Sequence, residues 1–162
     1  MYTESEFVKA IQTHSNIIHK VTNVYMPDTA YREDLFQEIV LNAWNGIKNF
    51  KGEAKFSTWL YRVALNTAIT FYRSGKKKPP TIELFEKVEN IPDEKIYDET
   101  PLHTMYQAIT KLSPIDKALV MLYLEDYSYM EIASMMGITA NLVGVKMNRI
   151  KTKLKVMVQN EP

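Results

Sequence analysis

The chain has 162 residues, 46% of them hydrophobic and 24% charged, with a formal net charge of +1 and no cysteine. That length allows one medium domain or two small ones, and the composition is that of a globular protein. The lack of cysteine excludes disulfides, thiolate metal sites and cysteine nucleophiles and fits a cytoplasmic setting, while a charge so near zero leaves only its distribution to speak for a polyanionic partner.

The first residues, MYTESEFVKA, are acidic and polar and do not read as a signal peptide. No apolar run approaches the roughly 20 residues of a membrane span, so no membrane insertion is expected. Thr3 to Glu6 fits a capping box ahead of an apolar stripe at Phe7, Ile11, Ile18, Val21 and Tyr25. This predicts one helix from about Glu4 to Tyr25, stopped by Pro27 and Asp28. A second helix is expected from about Ala30 to Ile47, with Leu35, Phe36, Ile39, Val40, Ala43, Trp44 and Ile47 inward. It leaves a polar strip of Asp34, Gln37, Glu38 and Asn42. A solvated face is the default reading of such a strip, and a docking site for a basic partner is the alternative. The segment NFKGEAK, Asn49 to Lys55, reads as a loop turning at Gly52.

Phe56 to Arg73, FSTWLYRVALNTAITFYR, reads as one amphipathic helix with two kinds of face. Phe56, Leu60, Val63, Ala64, Thr67 and Phe71 fall at core spacing. Trp59, Tyr61, Arg62, Asn66, Thr70 and Arg73 are left outside, a set of rings, amides and guanidinium groups with no carboxylate. Rings stack on bases, amides bond base edges and arginines hold phosphates, so this face is a candidate nucleic-acid surface. Trp59 stands between core and stacking residue, and Trp44 reads as core.

From Gly75 the composition changes. GKKKPPTIELFEKVENIPDEKIYDETP holds four prolines and blocks of alternating charge, which reads as a linker. The expected organisation is therefore residues 1–74, a linker over 75–101, and a second domain over 102–162. The second domain should open with a helix from Leu102 to Leu112. Ser113 and Pro114 then cap a helix ending near Glu125. A short helix over Tyr127 to Met136, a break at Gly137, Ile138 and Thr139, and a last helix from Ala140 to Val158 follow. That last helix turns Val143, Met147, Ile150, Leu154 and Met157 inward. No segment alternates long enough for a strand, so the expected fold is all-α, two small helical domains joined by a linker.

A short helix, a turn with Gly and a longer basic helix make a helix-turn-helix pattern. Gly144 to Val158 carries Lys146, Arg149, Lys151, Lys153 and Lys155 and no acid. The outward residues there are Asn141, Gly144, Val145, Asn148 and Arg149. Asn141, Asn148 and Arg149 are candidate base or phosphate contacts, and Lys146, Lys151, Lys153 and Lys155 candidate phosphate contacts. The plain alternative is a helical hairpin with a solvated basic tail. His14, His19 and His103 lack ligand spacing, so neither a metal nor another cofactor is expected. No phosphate-cradling glycine loop, nucleophile elbow or paired-carboxylate motif is present, which argues against an enzyme.

At this point the chain resembles a bacterial sigma-70-type RNA polymerase initiation factor of the extracytoplasmic-function group. EDLFQEIVLNAW (Glu33 to Trp44) and KFSTWLYRVALNTA (Lys55 to Ala68) look like the family's second region, and LSPIDKALVMLYLEDYSYMEIASMMGIT (Leu112 to Thr139) with the basic helix looks like its fourth. The resemblance implies that Asp34, Gln37, Glu38 and Asn42 dock on the clamp helices of the largest subunit of core RNA polymerase. It implies that the loop with Asn49, Lys51, Lys55 and Phe56, and the helix with Trp59, Tyr61, Arg62, Asn66 and Arg73, meet the promoter −10 element. It assigns Asn141, Val145, Lys146, Asn148, Arg149 and Lys153 to the −35 element. It also implies an anti-sigma factor as a further partner. Members often carry a basic residue where this chain has Gly144, a hydroxyl at Val145 and a threonine at Leu142, so promoter preference does not carry over. A stand-alone helix-turn-helix regulator is the rival reading, and it needs no aromatic strand-capturing helix. A nucleic-acid enzyme is the second rival, and it lacks residues to hold a catalytic metal.

Overall fold

The computed structural model describes residues 2–27, 29–74 and 101–160. The chain divides into two compact units, Met1–Lys95 and Ile96–Pro162. Both are all-α, and among the described residues there is no strand. Residues 75–100 of the expected linker lie outside the described residues, and Pro101 already belongs to a helix.

The first unit holds α1 (Glu4–Thr13), α2 (Ser15–Tyr25), α3 (Arg32–Gly46) and α4 (Phe56–Ser74), with short 3-10 turns at Thr29–Tyr31 and Ile47–Asn49. The single helix expected over residues 4–25 is two. Thr3 caps α1, its Oγ1 accepting from the Glu6 amide at 3.1 Å. The helix then breaks at His14, whose backbone (φ −111°, ψ 21°) leaves the helical region. No proline or glycine marks this break, which is why periodicity alone runs through it. Phe7, Ile11, Ile18, Val21 and Tyr25 are all buried, so both halves keep the expected face toward the core. The turn between α2 and α3 is tied by Arg32, whose Nε donates to the Met26 carbonyl at 3.1 Å and whose Nη2 donates to the Pro27 carbonyl at 2.7 Å.

Helix α4 packs against both α2 and α3. Its buried set is Leu60, Tyr61, Ala64, Leu65, Thr67, Ala68, Ile69 and Phe71. This is wider than the expected stripe, because two helices rather than one cover it. A fully buried Leu contributes roughly 1.5–3 kcal/mol, so each of these contacts matters against a net stability of about 5–15 kcal/mol for a typical domain. Val63, expected inward, is only half-buried.

The second unit holds α5 (Pro101–Ile109), α6 (Pro114–Leu124), α7 (Tyr129–Met136) and α8 (Ala140–Gln159). Ser113 caps α6 with Pro114 in its first turn. Ser128 and Glu131 form a full capping box on α7: the Glu131 amide donates to Ser128 Oγ at 3.1 Å, and the Ser128 amide donates to Glu131 Oε1 at 3.0 Å. Hydrogen bonding from the Ser128 amide, and then from its side chain, favours the carboxylate and holds Glu131 below its usual pKa. The box is therefore complete above the ordinary carboxylate range and weakens as pH falls through the lowered value. Gly137 ends α7 at φ +70°, and the Thr139 side chain caps α8 by accepting from the Leu142 amide at 3.1 Å. Helix α8 lies against α5, α6 and α7. Val143, Met147, Ile150 and Leu154 are buried, as the spacing predicted, and Met157 is half-buried. Lys117 of α6 is also buried, and desolvation holds its ammonium below the usual lysine pKa.

A side chain at Gly137 would be forced into the left-handed region, which costs an L-residue roughly 1–2 kcal/mol. Gly137→Ala is therefore expected to destabilise the second unit by about that amount, read as a lower urea midpoint in circular dichroism. An unchanged midpoint would mean that the α7 terminus is set by something other than this residue.

Candidate nucleic-acid and polymerase interfaces

Arg62, Asn66, Thr70 and Arg73 of α4 are exposed. At 100° per residue these four positions fall within about 80° of one another, so they form one stripe along the helix. It carries two guanidinium groups, an amide and a hydroxyl. No Asp or Glu occurs anywhere in α4. Tyr61 departs from the expected assignment. It is only 3% exposed and lies in the sector that packs on the neighbouring helices, so its ring belongs to the core.

Phe56 and Trp59 are half-buried in a cluster of rings at the start of α4. Trp59 stands 5.3 Å from Phe50 and 5.5 Å from Phe56, centroid to centroid. Its indole also lies over the end of α3, where a Cβ built on Gly46 would meet Trp59 Cζ2 at 3.6 Å. Phe50, at the entry to the loop, was not singled out by sequence. Neither were Tyr2 and His14, whose rings lie 6.0 and 5.3 Å from Phe56. An aromatic at position 2 or 14 has no periodic signal connecting it to position 56; only the fold brings them together. Trp44 packs on Phe7 at 5.0 Å and is half-buried. Between Phe50 and Phe56 the residues Lys51, Gly52, Glu53, Ala54 and Lys55 are exposed, as is Asn49 just before, and Gly52 takes φ +74°.

On α3, Asp34, Gln37 and Glu38 are partly exposed. Asn42 lies further along the same helix, but its Nδ2 donates to Thr67 Oγ1 on α4 at 2.9 Å. This bond satisfies the buried Thr67 hydroxyl, so the Asn42 amide serves the α3–α4 contact.

On α8, Asn141, Val145, Asn148, Arg149 and Lys153 are exposed and Lys146 is half-buried. Asn141, Val145, Asn148 and Thr152 share one face, with Arg149 beside it. Two residues behave otherwise than the spacing suggested. Gly144, expected outward, sits beneath the Tyr129 ring of α7, where an added Cβ would stand 3.6 Å from Tyr129 Cε2. Lys151, expected at a phosphate, leans back over α6: its Nζ is 4.5 Å from the Tyr123 ring centroid and 3.5 Å from the Tyr129 hydroxyl. Hydrogen bonding to Tyr123, and less strongly to Tyr129, holds its ammonium above the usual lysine pKa. Tyr123 and Tyr129 meet edge-on at 6.2 Å, so the three side chains form one brace between α6, α7 and α8. Among the described residues no group of three or more His, Asp or Glu could hold a metal ion, and no helix is long and apolar enough to cross a membrane.

Two family models match the chain in succession, Sigma-70 region 2 over residues 10–78 and Sigma-70 region 4 over residues 102–154. The chain is 27% identical over 139 residues to the ECF RNA polymerase sigma-E factor of Haemophilus influenzae, covering 78% of this chain and 74% of that protein. It is 28% identical over 129 residues to the RNA polymerase sigma factor YlaC of Bacillus subtilis, covering 76% of this chain and 75% of the other. Among solved structures it resembles the sigma factor RpoE of Bartonella quintana, determined in complex with the anti-sigma factor NepR. The TM-score there is 0.70 at 15% identity, over 97% of this chain and 99% of that one. It also resembles CnrH, determined with the cytosolic domain of CnrY, at a TM-score of 0.65 and 17% identity, over 99% of this chain and 92% of that one.

The contact under Tyr129 decides what a larger residue at position 144 does. A Cβ at 3.6 Å is ordinary van der Waals contact, and Ala is about 1 kcal/mol better than Gly inside a helix. Gly144→Ala is expected to raise the melting midpoint of the second unit, and a fall would show that the Tyr129 ring cannot accept the methyl group.

Proposed function

Because the chain belongs to the sigma-70 family of bacterial RNA polymerase initiation factors, in its extracytoplasmic-function group, we propose a division of labour between its two units. The protein binds core RNA polymerase and directs promoter recognition and DNA melting. The first unit docks through Asp34, Gln37 and Glu38 of α3 on the clamp helices of the largest subunit, and holds the −10 element. The second unit reads the −35 element as duplex through α8. The observation that carries this reading is that one chain holds two helical units, each with an exposed stripe on a helix free of carboxylates. One stripe stands beside a ring cluster suited to unpaired bases, and the other follows a helix-turn-helix. A stand-alone regulator has no use for the first of these.

At the −10 element a base leaves the stack at a cost of a few kcal/mol, so the site must supply contacts that exist only once the strand is open. Asn49, Lys51 and Lys55 of the exposed loop, with Phe56 and Trp59 at its end, offer cations and ring faces. Arg62, Asn66 and Arg73 continue the path along α4. Tyr61 has no direct part, since it is core. At the −35 element Asn141, Val145 and Asn148 face the groove, and Lys146, Arg149 and Lys153 meet phosphates. Sigma factors act as non-catalytic initiation factors, and we read this chain as cytoplasmic and without enzymatic activity of its own. An anti-sigma factor is the expected regulatory partner, as one is solved with the Bartonella protein.

Purified protein added to core polymerase is expected to start transcription in a run-off assay on the DNA upstream of its own coding sequence; absence of core binding at micromolar concentration would remove the reading. Asp34→Arg combined with Glu38→Arg should abolish core binding while circular dichroism stays unchanged, and retained binding would move the dock elsewhere. Arg149→Ala and Lys153→Ala should each lower the salt slope of −35 duplex binding by about 0.9, one phosphate's worth. Lys151→Ala should leave that slope unchanged because its ammonium is held on Tyr123; an equal drop would return Lys151 to the phosphate contacts.

A further inference from the structure

In the loop over residues 50–56, residues 51–55 are exposed and rings hold its two ends. Phe50 holds the entry and Phe56 the exit, 6.1 Å apart edge to face. Trp59 touches both from within α4. Tyr2 touches both from outside α4, at 6.2 Å from Phe50 and 6.0 Å from Phe56. Its own position is fixed. It directly precedes Thr3, whose side chain caps α1 and whose carbonyl accepts from the Phe7 amide at 2.9 Å. Helix α1 is in turn seated by Phe7 and Ile11, both fully buried. His14, at the break between α1 and α2, adds a ring 5.3 Å from Phe56. The first helix thus reaches the same loop end with a ring at each of its own ends.

We propose that Tyr2 is a positioning residue for the strand-holding surface, closing the ring cluster from outside so that the 50–56 loop is presented in one geometry to the unpaired −10 strand. This role rests on the initiation-factor reading above. The physics is that of preorganisation. An exposed loop of this kind must otherwise be ordered when DNA arrives, and the ordering is taken from the binding free energy. A ring clamped across both ends meets that cost during folding instead. Tyr2 need not touch the nucleic acid to do so. A pair of rings in such geometry contributes beyond its buried area by an amount that corresponds to a few-fold up to about tenfold in an equilibrium.

The test uses the full chain bound to core polymerase and a fork-junction DNA with an unpaired non-template −10 strand. Tyr2→Ala is expected to weaken binding of that DNA by roughly three- to tenfold, and Tyr2→Phe, which keeps the ring, to restore it to within about twofold. Core affinity and −35 duplex affinity should not change. Amide hydrogen exchange at residues 51–55 should quicken in Tyr2→Ala alone. If Tyr2→Ala instead lowers the melting midpoint and weakens core binding in step with strand binding, Tyr2 is an ordinary packing residue and the proposal falls. If the wild-type holoenzyme holds the strand and Tyr2→Ala holds it equally well, the positioning role alone is refuted. If the wild-type holoenzyme does not hold it, the initiation-factor reading fails and this role with it.

Discussion

Helix α4 is enclosed on two sides, by α2 and by α3, and this sets what the first unit can offer a partner. Eight of its residues are buried, from Leu60 to Phe71, and what remains toward solvent over that span is a narrow stripe. A helix so held cannot rotate or bend to meet a ligand without breaking core contacts, since packed interiors tolerate little change in volume or shape. The stripe of Arg62, Asn66, Thr70 and Arg73 is therefore a fixed row of donors. The Asn42–Thr67 hydrogen bond adds to this, because it satisfies the buried Thr67 hydroxyl on α4 from the neighbouring helix. Helix α3, with the proposed docking residues, and helix α4, with the proposed strand-facing ones, are thereby tied to each other.

The second unit reaches a comparable end by other means. Helix α8 is seated by α5, α6 and α7, and its start is set by two local devices, the left-handed Gly137 and the Thr139 cap. These fix the angle at which the first turns of α8 leave the unit. The brace of Tyr123, Tyr129 and Lys151 works further along. It holds Lys151 against α6 and α7, and the Tyr129 ring lies over Gly144 at a distance where an added methyl group would make ordinary contact. Position 144, where the resembling family often carries a basic residue, faces the Tyr129 ring here.

Signals local in sequence were the most legible. The caps at Thr3 and Ser113, the glycine after α7 and the spacing of Val143, Met147, Ile150 and Leu154 each rest on residues within one or two turns and stand as read, whereas the helix expected from Tyr127 starts at Tyr129 with Ser128 as its cap. Arg62, Asn66, Thr70 and Arg73 are exposed as their spacing implied. Tyr61 was misplaced because periodicity gives the centre of a buried sector but not its width, which depends on how many helices cover it. The break at His14 was invisible because no breaker residue causes it. Tyr2 and His14 were missed because their meaning lies in contacts with Phe50 and Phe56, far along the chain, and Phe50 because it sits at a loop entry and shares no period with its ring partners at the start of α4. The candidacy of the α4 and α8 faces for nucleic acid came from residue type and pattern, whereas the assignment to polymerase, −10 and −35 elements came only from the resemblance; an exposed asparagine by itself does not say what it bonds.

The charge distribution adds one constraint on how the two surfaces act together. The whole chain is nearly neutral, yet α8 carries five basic residues and no acid, and α3 carries Glu33, Asp34 and Glu38. Beyond a screening length of about 8–10 Å such a molecule looks uncharged to DNA, so little long-range attraction gathers it onto random sequence. Close to a phosphate the local cations still act, but one stripe alone makes few contacts, and non-specific affinity rises with the number of phosphates met. On the function proposed above, attachment to polymerase would add the contacts of one stripe to those of the other. Near-neutrality, on the same proposal, fits a molecule whose α3 strip engages polymerase before either cationic stripe meets DNA.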